Sequence, residues 1–248
     1  MKKITFMSFK GGAGKTTALF LLVAAINDRG GRVTLVNSDE EPHLEEWREN
    51  GIELGYWDDE RIQLFAAEDD EDLTVAMQAA EDFGADYFIC DTKGGGSDLN
   101  HSIILNSDFI VVPTHICRQE LDSTFRTMEY VTEFLERENV NVTSAFLINR
   151  VSFYKGQFDP EKLTQEDREG WDLLDVFPKF ETKIPTDEII RVQKGKGLIN
   201  LQRDSFQASK TTRFRAPNLT KRIRYGLDML DEIEAGLAAQ EEPQRVEV

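Results

Sequence analysis

Ser8-Phe-Lys-Gly-Gly-Ala-Gly-Lys-Thr-Thr17, with Ile4-Thr-Phe-Met before it and Ala18-Leu-Phe-Leu-Leu-Val after it, decides how this chain reads. The apolar run predicts a strand over Ile4 to Ser8. Leu19, Leu22, Val23 and Ile26 recur at helical spacing and predict a helix over Thr16 to Asp28, ended by Gly30-Gly31. Strand, glycine turn and helix together form a phosphate cradle. The glycines let backbone N–H groups turn toward phosphate oxygens, and the helix N-terminus adds its positive end. Lys15 has the reach for the terminal phosphates, and the Thr16 hydroxyl can ligate Mg²⁺. A glycine turn that bound nothing would have no need of Lys15-Thr16-Thr17 opening an apolar helix.

The usual spacing G-x-x-x-x-G-K-[ST] is broken, because Phe9 stands where its first glycine belongs. A second lysine, Lys10, takes part instead, so the loop comprises Lys10, Gly11, Gly12, Ala13, Gly14, Lys15, Thr16 and Thr17.

Outward from the loop, apolar runs alternate with helical patterns, as in an α/β, doubly wound, mostly parallel sheet flanked by helices. Val33 to Val36, Arg61 to Ala66, Tyr87 to Cys90, Phe109 to Val112, Ser144 to Ile148 and Phe180 to Ile184 read as strands, the fourth stopped by Pro113. Leu73 to Phe83, Leu121 to Arg137, a segment from about Thr186, and Leu219 to Ala239 read as helices; 151–171 reads as polar and irregular. Nothing in the composition cuts the chain, so 1–239 is expected to be a single domain and 240–248 a disordered tail. No run reaches the roughly 18 apolar residues of a membrane span. Two cysteines, Cys90 and Cys117, make no disulfide framework and suit a reducing cytoplasm. His43, His101 and His115 lack metal-ligand spacing.

Two acids stand at strand ends, where a doubly wound sheet binds Mg²⁺ and nucleotide. Asp91 follows Tyr-Phe-Ile-Cys and reads as the carboxylate that holds Mg²⁺ through a water. Asp39 follows the second strand in Asn37-Ser38-Asp39. Lys93, followed by three glycines, faces either the terminal phosphate or solvent.

The net charge of −17 is unevenly spread. Residues 191–224 carry ten Lys/Arg and one acid, Asp204, within an otherwise strongly acidic chain. Arg191, Lys194, Lys196, Arg203, Lys210, Arg213, Arg215, Lys221, Arg222 and Arg224 could neutralise several phosphates of a polyanion, giving affinity without base readout. The alternative is a solvated face that balances the acidic body. The last helix carries Asp228, Asp231, Glu232 and Glu234, which anionic lipid would repel, so no membrane mode is expected.

The loop resembles the signature of the ParA/MinD superfamily of deviant Walker-A ATPases. The likeness is closer to VirC1-type proteins of conjugative DNA transfer, through residues 8–19, Trp-Arg-Glu-Asn at 47–50, Asp-Thr-Lys-Gly-Gly at 91–95 and Leu99-Asn100. It covers most of 1–150. The resemblance implies an ATP- and Mg²⁺-dependent cytoplasmic ATPase, slow unless stimulated by a partner protein. In it, Lys10 would reach across an ATP-bound homodimer, and Lys10, Lys15 and Asp39 would act in hydrolysis, Asp39 by positioning water. Thr16, Asp39 and Asp91 would serve the metal. Asn149 would contact adenine, next to Arg150, and Pro185 would flank the base. The family often has Asp where this chain has Asn37, which implies either slower hydrolysis or a supporting role behind the site.

Together these readings imply a dimerising switch that binds double-stranded DNA non-specifically and positions DNA or cargo on a bacterial nucleoid, as in plasmid partition, recruitment of a DNA-transfer complex or organelle spacing. A dethiobiotin-synthetase-like metabolic enzyme and a nucleotide-locked scaffold are the alternatives. ATP turnover that rises with DNA and partner, rather than with a metabolite, separates the first from the second.

Overall fold

The computed structural model describes residues 1–241; 242–248, most of the expected tail, lie outside the described residues. Each apolar run becomes a strand because both of its faces are covered. Phe109 and Val111 join the core on one side of the sheet, and Ile110 and Val112 join the core on the other.

In chain order the elements are β1 (Lys2–Phe6), α1 (Lys15–Asp28), β2 (Val33–Asn37), α2 (His43–Leu54), β3 (Ile62–Ala66), α3 (Asp70–Phe83), β4 (Tyr87–Asp91), α4 (Asp98–Leu105) and β5 (Phe109–Thr114). Then come α5 (Arg118–Glu138), β6 (Thr143–Val151), the hairpin β7 (Phe153–Tyr154) and β8 (Gln157–Phe158), α6 (Gln165–Leu174), β9 (Lys179–Pro185), α7 (Glu188–Gln193), α8 (Ile199–Ala208) and α9 (Ala216–Glu241). Seven strands form one sheet in the order β3-β2-β4-β1-β5-β6-β9, and every neighbouring pair is parallel. This is the expected doubly wound fold. β1 has β4 on one side and β5 on the other, so the chain changes its direction of travel across the sheet there. The crevice beyond the carboxyl ends opens at that switch point.

Some expectations needed correction. The α1 helix is buried from Ala18 to Asn27 on all sides rather than along one stripe. Its outer side is covered by α8 and α9, and Gly226 of α9 lies so close that an added Cβ would sit 2.1 Å from the Leu21 carbonyl oxygen. Pro113 does not stop β5. It pairs in register with Leu147 of β6, beyond the last β1 partner of this strand at Val111, where one side has no ladder to break. The 151–171 segment is ordered. Its helix α6 is preceded by Thr164, whose hydroxyl caps the amide of Asp167 at 3.1 Å, and Glu166 and Asp167 favour the helix N-terminus.

The expected tail starts too early, since Gln240 and Glu241 continue α9. Two acids of this helix are bonded within the fold. Glu234 accepts from Lys2 at 2.6 Å and from the Tyr87 hydroxyl at 2.5 Å, while Glu232 accepts from the Glu181 and Thr182 amides. Its apolar side, Leu219, Ile223, Met229, Leu230 and Ile233, is buried in the core and unavailable to lipid. No helix among the described residues is long and apolar enough to cross a membrane.

Candidate nucleotide site

The loop leaves β1 at the centre of the sheet and is braced from three sides. Met7 N bonds to Val111 O at 3.0 Å, Phe9 N to Thr127 Oγ1 at 3.1 Å, and Ser8 Oγ to Lys10 O at 3.0 Å. Gly12 and Gly14 both adopt positive φ, near 90°, which L side chains rarely tolerate. Gly14 has a second constraint, because a Cβ there would lie 2.7 Å from Asn149 Nδ2. That amide donates to Ala13 O at 2.9 Å, so the end of β6 props the loop.

Lys15 opens α1 and turns toward the sheet. Its Nζ contacts Asp91 Oδ1, donates to Thr92 O at 2.5 Å and lies 3.4 Å from Asp39 Oδ2. Three strand ends meet here, since Phe6 and Asn37 are both in register with Asp91. Burial raises the Asp91 pKa above the ordinary carboxylate value, and Lys15 pulls against that rise. Thr16, Asp39 and the loop line one cleft of about 380 Å³. A hydroxyl with one or two carboxylates is a hard oxygen donor set that suits Mg²⁺ alongside phosphate and water.

Asn37 sits behind this cleft and is buried. Its Nδ2 donates to Glu45 Oε2 at 2.8 Å and its Oδ1 accepts from Asp39 N at 3.0 Å. The amide therefore shapes the Asp39 turn. An aspartate here would face Glu45 with like charge, so the supporting role is the one the contacts favour. Lys93 O and Gly95 O both accept from Asn100 Nδ2, at 3.3 and 2.6 Å, which orders the glycine turn after β4.

A second cleft, about 200 Å³, continues from the loop between β6 and β9. It is lined by Gly14, Thr17, Asn149, Arg150, Ile184 and Pro185, among others. Asn149 Oδ1 is buried there without a hydrogen-bond partner among the described residues. An amide oxygen beside a proline and an apolar strand end fits an exocyclic amine on a flat heterocycle. Asn149, Arg150 and Pro185 thus come together at one end of the loop, with Thr16, Asp39 and Asp91 at the other.

Lys10 lines the first cleft and pairs with Glu120 Oε1 at 2.8 Å, in the first turn of α5. No sequence signal linked these two, which are 110 residues apart. Thr92 was also missed, because it contributes only its carbonyl.

The basic segment does not form one outward surface. Lys194 turns inward and donates to Thr17 Oγ1 at 2.7 Å. Arg203 is held by Asp28 and Asp204, Arg222 by Asp187, Arg191 by Glu188, and Arg224 by Asp228. These five side chains already have partners within the fold, although Arg191 and Arg224 remain largely exposed in their pairs. Lys196, Lys210, Arg213, Arg215 and Lys221 are exposed and make no ion pair among the described residues. Lys210, Arg213 and Arg215 lie in the connection between α8 and α9, with Arg215 over the exposed ring of Phe214.

The VirC1 protein family model matches residues 1–238. Protein virC1 of Rhizobium radiobacter is 34% identical over 219 residues, covering 88% of this chain and 91% of that one. The fold is shared with a plasmid partition protein of Borrelia burgdorferi solved with AMPPNP, at TM-score 0.60, 15% identity and coverage of 93% and 99% of the two chains. It is also shared with the septum site-determining protein MinD of Pyrococcus horikoshii solved with Mg-ADP, at TM-score 0.57, 18% identity and coverage of 95% and 98%. With a match along nearly its whole length, the chain belongs to the VirC1 family.

Proposed function

We propose that this protein is an ATP-dependent switch that pairs with a second copy when nucleotide is bound, associates with duplex DNA without reading sequence, and positions DNA or a DNA-transfer complex. The observation that carries the reading is the Lys10–Thr17 loop at the sheet's switch point, with Lys15 between Asp91 and Asp39. One protein that shares the fold was solved with AMPPNP and another with Mg-ADP, which supports nucleotide and magnesium.

Each side chain then has a defined task. The loop amides and Lys15 hold the terminal phosphates, for which Lys15 exchanges its contacts with Asp91 and Thr92. Thr16 and Asp91 would hold Mg²⁺, which would supply charge neutralisation at the transferring phosphoryl group. Asp39, at the rim and partly exposed, orients the attacking water. Asn149 and Pro185 hold the base. Lys10 leaves Glu120 and reaches the partner copy's nucleotide. Hydrolysis by the protein alone is slow, and a partner protein accelerates it. Lys210, Arg213, Arg215 and Lys221 supply the DNA contact.

The test is nucleotide binding by the wild type and by Lys15→Ala. The wild type should bind ATP with Mg²⁺. The variant should lose at least about a hundredfold in affinity while its circular dichroism is unchanged. Equal affinities would overturn the assignment of the loop.

A further inference from the structure

The inward turn of Lys194 is not explained by the ion-pair pattern of its neighbours. Its amine has a hydroxyl partner, Thr17 Oγ1 at 2.7 Å, and no carboxylate within ion-pair distance among the described residues. The side chain is half-buried at the point where the base cleft and the phosphate cleft join, and it lines both. Burial disfavours its charge, and nearby Arg150 acts in the same direction, so the pKa of Lys194 falls below the ordinary lysine value. Arg150 likewise makes no ion pair among the described residues. It holds a positive φ of 53° at the end of β6. Two like charges kept together without an ion-pair partner among the described residues, one of them on a strained backbone, are costly by themselves and useful beside an anion.

The position of Lys194 is fixed by its own backbone. It opens a short turn, Lys194–Lys196, that ends at Gly197 with φ of 92°. A Cβ at Gly197 would lie 2.5 Å from Tyr56 O, which already accepts from Leu198 N at 2.7 Å. Gln202 Nε2 donates to Gln193 O at 3.1 Å and to Gly197 O at 3.2 Å. The turn is thus clamped before and after Lys194, and the amine is held over Thr17 without any help from a ligand.

We infer that Lys194 is a nucleotide-binding residue that contacts, from within the same subunit, the phosphates nearest the base. This deepens the ATP reading above and rests on it. Lys15 stands with Asp39 and Asp91 on the terminal side of the loop. Lys194 stands with Thr17 and Gly14 on the base side, so its contact is common to ADP and ATP. The contact also anchors the start of the basic segment to the nucleotide.

The experiment measures displacement of a fluorescent ADP analogue by ADP, ATP and adenosine, with Mg²⁺, from wild type, Lys194→Met, Lys194→Gln and Lys15→Ala. Lys194→Met should weaken ADP and ATP by the same factor, about tenfold, and leave adenosine unchanged. Lys194→Gln keeps a donor for Thr17 without the charge, and it decides the matter if the Met variant melts lower than wild type. It should lose ADP affinity as the Met variant does. ADP bound by both variants as tightly as by wild type would overturn the inference. An equal loss for adenosine would also overturn it, since that marks a distorted pocket. If wild type binds neither nucleotide, the ATP reading fails and takes this inference with it. If wild type binds and Lys15→Ala does not, the ATP reading stands whatever the Lys194 variants show.

Discussion

Arg222 of α9 donates through Nε and Nη2 to one carboxylate oxygen of Asp187, at 3.0 and 2.6 Å, while the other oxygen of Asp187 accepts the Ile189 and Ile190 amides. One carboxylate thereby caps α7, beside the base cleft, and ties it to the longest helix. Burial opposes the charge on Asp187, but Arg222 and the two amides overcome it and hold the carboxyl below the ordinary carboxylate range.

Arg222→Ala should therefore destabilise the fold by about 2 kcal/mol at neutral pH, because a half-buried carboxylate loses its partner. The folded pKa of Asp187 is depressed, so the contribution is present above the unfolded value near pH 4 and is lost as pH falls through the lower folded value. Urea unfolding of both proteins between about pH 7 and pH 3 checks the sign. The gap between them should narrow as pH falls. A constant gap would mean that Arg222 acts by packing.

The DNA contact should come from the corner residues and not from the paired ones. Charge reversal at Lys210, Arg213, Arg215 and Lys221 should weaken binding to every duplex alike and lower the salt slope by roughly three to four. Arg222→Ala should leave binding at 25 °C unchanged. Titration of random duplexes at several salt concentrations measures both. Unchanged binding by the fourfold variant would return this corner to the status of a solvated face.

Lys10 cannot serve a partner subunit while it holds Glu120 at 2.8 Å. Lys10→Ala should abolish the ATP-dependent dimer in sedimentation and leave the monomer folded. Glu120→Gln releases the lysine, and it should shift dimerisation to protein concentrations a few-fold lower. The exposed pair is worth under about 1 kcal/mol, which sets that scale. Normal dimerisation by Lys10→Ala would refute the cross-subunit role.

Asn37→Asp should cost about 1–2 kcal/mol, since it sets a buried carboxylate against Glu45 in place of a 2.8 Å hydrogen bond. Adding Glu45→Gln should recover most of the loss, as a double-mutant cycle of melting curves would show. If the two losses simply add, the pair is uncoupled and Asn37 is not matched to Glu45.

Much of the site is legible because its chemistry is local. Lys10 to Thr17 is one continuous turn whose glycines, lysines and threonines have to be neighbours to wrap a phosphate. Asp39, Asp91 and Asn149 stand at strand ends, which apolar runs mark. The helices α2, α4 and α8 were not read, since their short apolar patterns are diluted by acids and polar residues. The Thr164 cap of α6 was present in the sequence and was overlooked.

By itself the sequence determined the sheet's class, the glycine loop after the first strand and the two carboxylates beside it, because periodicity and turn chemistry are properties of neighbouring residues. Only the tertiary structure decided how the cations are used. Residues 191–224 read as a uniform basic run because charge along a chain carries no direction. Folding paired Arg203 with Asp28, Arg222 with Asp187 and Lys10 with Glu120 across 175, 35 and 110 positions, and turned Lys194 onto Thr17 across 177. Those pairings depend on which helix lies over which strand end, and that is settled by burial of α1 under α8 and α9 rather than by the charges themselves.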